Sequence, residues 1–394
     1  MFRLFCTHAV FTTSLTLLAA GANAQHEDRE FGWSLTVTSA ARKKAEARFW
    51  SEVREPSTAD RGEIRIDTQL VLSDLLVQDK NGAPVPGLRA SDFEITENGN
   101  GQSIDVFAYG DAAIPRSIIL VIDHSLSQWR HIDRSVAAAK VLVDSLRSTD
   151  RMAIVSDDVV LVSDFTSDKA LLKERLEGLR VKCGEGKFGK SHQYSALFAA
   201  LNERINRNGT RNIVIFQTDG DEHAMLRGRG RAGAVGFSID DIVATAERKG
   251  VTIYSVFTGS RYGGISKRAM VDKVREDLVA QITAFPATMQ RADPTKPISL
   301  SEEYLKARAE RVMLEESAVG SVASRSGGIA QSLESPDQAT AVYDRILSDI
   351  GKRYLVGYYP PERNGGEPRE REVRIKLRNK GNYRIIGGRT YVAY

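Results

Sequence analysis

Ile118-Ile-Leu-Val-Ile122 is an unbroken apolar run that stops abruptly at Asp123. Strict alternation would give a strand with one wet face. A continuous run of this length predicts a strand buried on both faces, as in a parallel sheet covered by helices on either side. Beyond it, Asp123, Ser125 and Ser127 fall on alternate positions, and a helical pattern follows. In open α/β sheets the loop at a strand's carboxyl end faces the crevice where ligands bind. Asp123 offers a hard anionic oxygen and the two serines offer neutral hydroxyls, a donor set suited to Mg²⁺ or Ca²⁺, with Mn²⁺ a further candidate.

The pattern continues downstream. Ile132, Val136, Ala139, Val143 and Leu146 form one apolar helical face. Met152–Val155 and Val159–Val162 flank Ser-Asp-Asp and read as a hairpin, which puts one antiparallel strand at the sheet edge. Thr166 or Ser167 is placed to cap a helix over Lys169–Leu179. After a Gly- and Lys-rich loop, Cys183–Lys190, a helix begins near Tyr194. A second apolar run, Asn212–Phe216, ends in Gln217-Thr-Asp219-Gly-Asp221. A helix over Asp240–Arg248 and a strand over Val251–Phe257 follow, so the alternation implies βαβ units. Tyr304–Arg325 reads as helix, Gly328–Leu333 as a short strand and Pro336–Arg353 as the closing helix.

The connection 259–303 is far longer than the roughly 2–6 residues usual in α/β units. Met270, Val271, Val274, Leu278 and Ile282 predict an amphipathic helix inside it. It leaves the carboxyl end of a strand, so it is expected on the same face as Asp123, either covering that face or simply packing beside it.

At 394 residues the chain is too long for one ordinary core. The surplus reads as β on both sides of the α/β region. In Glu63–Ala108, Ile64, Ile66, Leu70 and Leu72 alternate, as do Phe93 and Ile95, with turn signals at Asn81-Gly82 and Asn98-Gly99. After Tyr354–Tyr359, Val373, Ile375 and Leu377 alternate, and Tyr383 and Ile385 alternate back. Each set is too small to stand alone. The expected architecture is therefore a Rossmann-like, doubly wound, mostly parallel α/β domain at 113–352, inserted in a small β-sandwich made from 63–112 and 353–394.

Arg3, the apolar run Val10–Ala20 and Ala22-Asn23-Ala24 read as a cleaved secretory signal over 1–24, giving a secreted or periplasmic protein. Residues 25–62 read as a linker or helical arm, with a helix candidate at Ser39–Val53. No later segment reaches roughly 18 apolar residues, so no membrane-spanning helix is expected in the mature chain. Cys6 leaves with the signal and Cys183 remains alone, a tolerated free thiol. A formal net charge of +4 without a dense basic run argues against a nucleic-acid partner. The sequence does not fix an oligomeric state.

The tract Asp123-x-Ser125-x-Ser127 after a buried strand, together with the second Asp-bearing loop at Asp219, resembles the metal-ion-dependent adhesion site of von Willebrand factor type A domains. Two such loops at strand ends are far more specific than either alone. The run VPGLRASDFEITENG resembles the β region that precedes this domain in a group of secreted bacterial proteins. The resemblance implies five metal ligands on three loops: Asp123, Ser125 and Ser127 on the first, Ser191 on the second, where the family usually has Thr, and Asp219 on the third. Leu126 stands where the family usually has Gly. The resemblance further implies a coordination position left for the acidic side chain of a protein partner, and hence metal-dependent adhesion or protein–protein interaction rather than bond breaking.

Other classes fit less well. A dinucleotide enzyme needs a Gly-rich turn after the first strand, and Asp-His-Ser-Leu-Ser has no glycine. A serine hydrolase would carry G-x-S-x-G, which is absent. His124, His192 and His223 lie on the same loops and leave a metal-dependent hydrolase, or a softer Zn²⁺ site, as an alternative. An envelope structural or assembly protein with a vestigial metal site is the other alternative.

Overall fold

A computed structural model describes residues 36–37, 70–110, 114–205, 210–222, 237–259, 265–285, 300–360, 370–378, 381–387 and 389–393. The expected signal segment, the helix candidate at 39–53, the alternation at Ile64 and Ile66, and His223 lie outside the described residues.

In chain order the strands are β1 (Thr36–Val37), β2 (Val71–Gln78), β3 (Phe93–Glu97), β4 (Asn100–Gln102), β5 (Val106–Tyr109), β6 (Arg116–Ile122), β7 (Arg151–Ser156), β8 (Val160–Thr166), β9 (Arg211–Thr218), β10 (Thr252–Phe257), β11 (Ala330–Ser332), β12 (Tyr354–Tyr358), β13 (Glu370–Leu377), β14 (Arg384–Ile386) and β15 (Arg389–Ala393). The helices are α1 (Ile132–Asp144), α2 (Lys169–Gly184), α3 (Gln193–Glu203), α4 (Ile239–Lys249), α5 (Lys267–Ala284), α6 (Glu302–Arg325) and α7 (Ala339–Ile350).

Strand β6 sits at the middle of a seven-stranded sheet ordered β1-β8-β7-β6-β9-β10-β11. Its pairings with β7 and β9 are parallel, as are β9–β10 and β10–β11, whereas β7–β8 is the antiparallel hairpin expected from the sequence. The unbroken apolar run follows from this position. Ile118, Leu120 and Ile122 enter one core with α1, α2 and α7, while Ile119 and Val121 enter the other with α3, α4 and α6. Burying both faces keeps Ile118–Ile122 apolar throughout, whereas Arg116 and Ser117 at the start of the strand are buried on polar partners, Asp150 and Thr210. At the hairpin edge, residues 36–37 of the expected arm add a short parallel strand to β8. The cap of α2 is Asp168, whose side chain accepts the Leu171 N–H, and neither Thr166 nor Ser167 takes that role.

The flanking β segments form two four-stranded sheets, β14-β2-β12-β5 and β15-β13-β3-β4, each drawing strands from both sides of the α/β region. They enclose one core that includes Leu75, Val77, Phe93, Ile95, Tyr354 and Ile375. Asn98 and Gly99 both take positive φ, 49° and 86°, which gives the tight turn joining β3 to β4. Arg211, at the start of β9, ties the two regions together: its guanidinium lies 3.4 Å from Asp74 of β2 and donates to the carbonyls of Gly110 and Ile350. Arg353, fully buried, anchors the return of the chain through Asp349, Thr252 and the Gly327 carbonyl.

Candidate metal centre

Because β6, β7, β9 and β10 run parallel, the loops that follow them emerge at one edge of the sheet. Asp123 is the first residue past β6, and its N–H bonds the Gln217 carbonyl at 3.0 Å, extending the ladder by one step. Its side chain is 1% exposed. Oδ1 accepts the Ser125 N–H at 2.9 Å, and Oδ2 accepts Gln193 Nε2 at 3.0 Å and the Thr218 hydroxyl at 2.9 Å. The Ser125 and Ser127 hydroxyls lie 3.0 Å apart. Leu126 begins a short 3₁₀ turn through Gln128 and keeps a negative φ, so this loop does not need the family's glycine.

On the third loop, Asp219 follows β9. Its Oδ1 accepts the Asp221 N–H at 3.1 Å, and the Ser127 hydroxyl faces its carboxylate. Gly220 is obligatory: it has φ +78°, and a Cβ there would meet Val319 Cγ2 at 2.7 Å and the Glu315 carbonyl oxygen at 3.0 Å. Helix α6 is thus seated directly on the acid loop.

Asp123, Ser125, Ser127 and Asp219 therefore come together. Ser191 is held nearby by its backbone in the left-handed region, φ +58°, with its N–H on Asp157 Oδ2 at 2.9 Å. No hydrogen bond joins its hydroxyl to the other four. Asp157, fully buried, clamps the first loop to the second. Its Oδ1 accepts the His124 N–H at 3.0 Å and lies 2.5 Å from His124 Nδ1, and its carbonyl accepts the His192 N–H. Gly189 makes room for this post, since a Cβ there would lie 2.1 Å from Asp157 Oδ2. A second buried acid, Glu222, caps α3 by accepting the Tyr194 and Ser195 N–H groups and the Ser195 hydroxyl. Burial pushes its carboxyl up to about 7.

The electrostatics of the cluster have one sign. Burial, then the Asp219 and Asp157 charges, hold Asp123 well above the usual carboxylate range. Burial and then Asp221 raise Asp219. No ion pair forms at Asp123 or Asp219 among the described residues. Two desolvated carboxylates surrounded by hydroxyls and amides are the donor chemistry of a hard divalent cation. The residues present fit such an ion.

Neither His124 nor His192 joins this cluster. The His124 ring lies between Asp157 and Asp158, with Nε2 3.6 Å from Asp158 Oδ2; burial lowers its pKa, but Asp157 more than compensates and the net shift is upward. His192 Nδ1 lies 4.0 Å from Glu222. Among the described residues no three His, Cys, Asp or Glu side chains gather into a metal cage. His124 joins the first loop to Asp157.

Helix α5, inside the long connection 259–303, packs on α6 through Met270, Val274 and Leu278 against Leu305, Ala309 and Val312. Val274, Asp277 and Leu278 share a cavity of about 60 Å³ with Ser127 and Asp219. Arg130 pairs with Asp277 at 3.1 Å, and Phe285 stacks edge-on against Trp129 and Phe188. Helix α5 of the long connection therefore lines the site face.

Sequence reading overlooked Asp157, Gln193, Thr218 and Glu222. For Asp157 a signal existed: it directly follows β7, a strand parallel to β6, so its loop had to emerge at the same edge.

A mostly parallel, doubly wound sheet covered by helices on both faces defines a class of α/β domain. Residues 118–222 match the family described as von Willebrand factor type A domain. No curated protein matches the sequence. Among solved structures, the chain is similar to an aerotolerance-related membrane protein from Bacteroides fragilis NCTC 9343, at 17% identity and TM-score 0.35, over 60% of this chain and 100% of that one. It is similar to the manganese-loaded Plasmodium vivax TRAP protein at 12% identity and TM-score 0.32, over 71% and 96%. The vWF domain of the type V pili tip protein Mfa5 from Porphyromonas gingivalis matches at 14% identity and TM-score 0.32, over 61% and 96%.

Proposed function

We propose that this chain is a secreted or periplasmic binding protein that engages a protein partner through a divalent cation, Mg²⁺ or Ca²⁺, held by Asp123, Ser125, Ser127, Ser191 and Asp219. The observation that carries the reading is the buried pair Asp123–Asp219, two carboxylates withdrawn from water with no basic side chain bonded to either. A bound divalent cation supplies an electrophilic point that an acidic side chain of the partner can join. The chain's own part is positional. Gln193 and Thr218 fix Asp123, Asp157 fixes the second loop against the first, and Gly220 lets α6 close beneath the third.

The domain family and the hydroxyl-rich donor set support recognition rather than bond breaking. No described helix is long and apolar enough to cross a membrane. The test is a pull-down from envelope extract with the full mature chain, run with Mg²⁺ and with chelator. The expected result is a partner retained with Mg²⁺ and lost with chelator or with Asp123→Ala. Equal capture in all arms would favour an assembly role in which the cation is irrelevant.

A further inference from the structure

Three acids and two arginines meet where α6 lies on the acid loop. Arg308 donates through Nη2 to Asp221 Oδ2 at 2.9 Å and through Nη1 to Glu315 Oε1 at 3.4 Å. Its side chain is only 17% exposed, and it lines the same cavity as Ser127 and Asp219. Glu315, 1% exposed, is further held by Arg311 Nε at 3.2 Å. Asp219 and Asp221 flank Gly220, so the guanidinium sits one turn of loop from the candidate metal ligand. Burial pulls the Arg308 guanidinium down, but Asp221, Glu315 and Asp219 together outweigh it and the cation is held more firmly than usual.

We propose that Arg308 is a built-in counter-ion of the acid loop: it competes electrostatically with the divalent cation and thereby couples occupancy of the site to the seating of α6. The inference rests on the metal-binding reading above and adds its regulation. A divalent cation beside Asp219 and a guanidinium on Asp221 are like charges in a cavity with little water, where repulsion is weakly screened. Each must therefore weaken the hold of the other, and the weakening is equal in both directions. Helix α6 shares an apolar seam with α5, which overlies the site, so loosening the Arg308 anchor loosens the pair of helices that lines the cavity.

Calorimetric titration of the full mature chain with Mn²⁺ tests this directly. Arg308→Met is expected to bind Mn²⁺ roughly tenfold more tightly than wild type, and Arg308→Lys, which keeps the charge, to stay near wild type. In chelator, Arg308→Met is expected to melt at least several degrees lower, because acids on both sides lose their partner, and to regain part of that loss when Mn²⁺ is added. A second measurement needs no variant: Mn²⁺ should speed amide hydrogen exchange in residues 302–311 of wild type. Wild type that binds Mn²⁺ while Arg308→Met binds it equally, or exchange at 302–311 that is unchanged or slowed, overturns the inference alone. Absence of Mn²⁺ binding by wild type and both variants overturns the metal-binding reading and this inference together.

Discussion

Asp150 and the pair Asp123–Asp219 lie at opposite ends of one sheet and make opposite use of a buried carboxylate. Asp150, fully buried just before β7, receives Arg116 and Arg147 through both backbone and guanidinium donors, at 2.5–3.2 Å. Burial would raise it, but the two arginines outweigh that and hold it well below the usual range. Asp123 and Asp219 are also buried, at 1% and 8% exposure, yet accept only from amides and hydroxyls, and both are raised. Depth alone therefore does not mark a functional acid. What sets Asp123 and Asp219 apart from Asp150 is burial with no basic side chain bonded directly to either.

The comparison can be broken at either end. The largest effect is expected from Asp150→Asn, which leaves the buried Arg116 without its charge partner. Denaturant unfolding should show a loss of about 3–5 kcal/mol. The same change at the other end, Asp219→Asn in chelator, should leave stability unchanged or raise it by about 1 kcal/mol, because it relieves a like-charge, desolvated pair. A loss at Asp219 comparable to that at Asp150 would erase the distinction.

Between these lies Gly189→Ala. The added methyl must displace the Asp157 carboxylate, which holds the first loop to the second, and a cost of about 1–3 kcal/mol is expected. The variant should also weaken Mn²⁺ binding, since Ser191 hangs from the same acid.

The smallest and most selective effect is in pH. Asp150 has a folded pKa below its unfolded value near 4, so its stabilisation is present above about pH 4 and is lost as pH falls through the folded value. The stability gap between wild type and Asp150→Asn, followed by chemical denaturation, should be constant from pH 7 to about pH 5 and shrink only below about pH 4. A gap that instead closes near neutrality would reassign the shift.

Only one side of this contrast was legible in the sequence, the loops of Asp123 and Asp219; Asp150 was not singled out there. The run Ile118–Ile122 announced a strand buried on both faces because burial leaves a one-dimensional trace. The two Asp-bearing loops were legible for the same reason, since each directly follows such a run. The flanking β segments were readable as halves of a sandwich because neither could cover its own apolar face. What escaped were partners set by tertiary approach. Asp157 looked like a hairpin turn residue, and its role depends on Gly189 and Ser191 arriving from elsewhere. Arg308 sits on an ordinary charged helix until α6 is laid on Gly220. The cap of α2 fell to Asp168 rather than to the hydroxyls before it, a choice of one or two residues that propensity does not resolve.

The central claim is that the Asp123–Asp219 cluster is completed by a divalent cation. Isothermal titration of the purified protein with Mg²⁺ and Mn²⁺, alongside Asp123→Ala and Asp150→Asn, tests it most directly. Saturable binding of one ion per chain to wild type and to any folded Asp150→Asn, abolished by Asp123→Ala, is the expected result. Wild-type heats indistinguishable from those of Asp123→Ala would contradict the account.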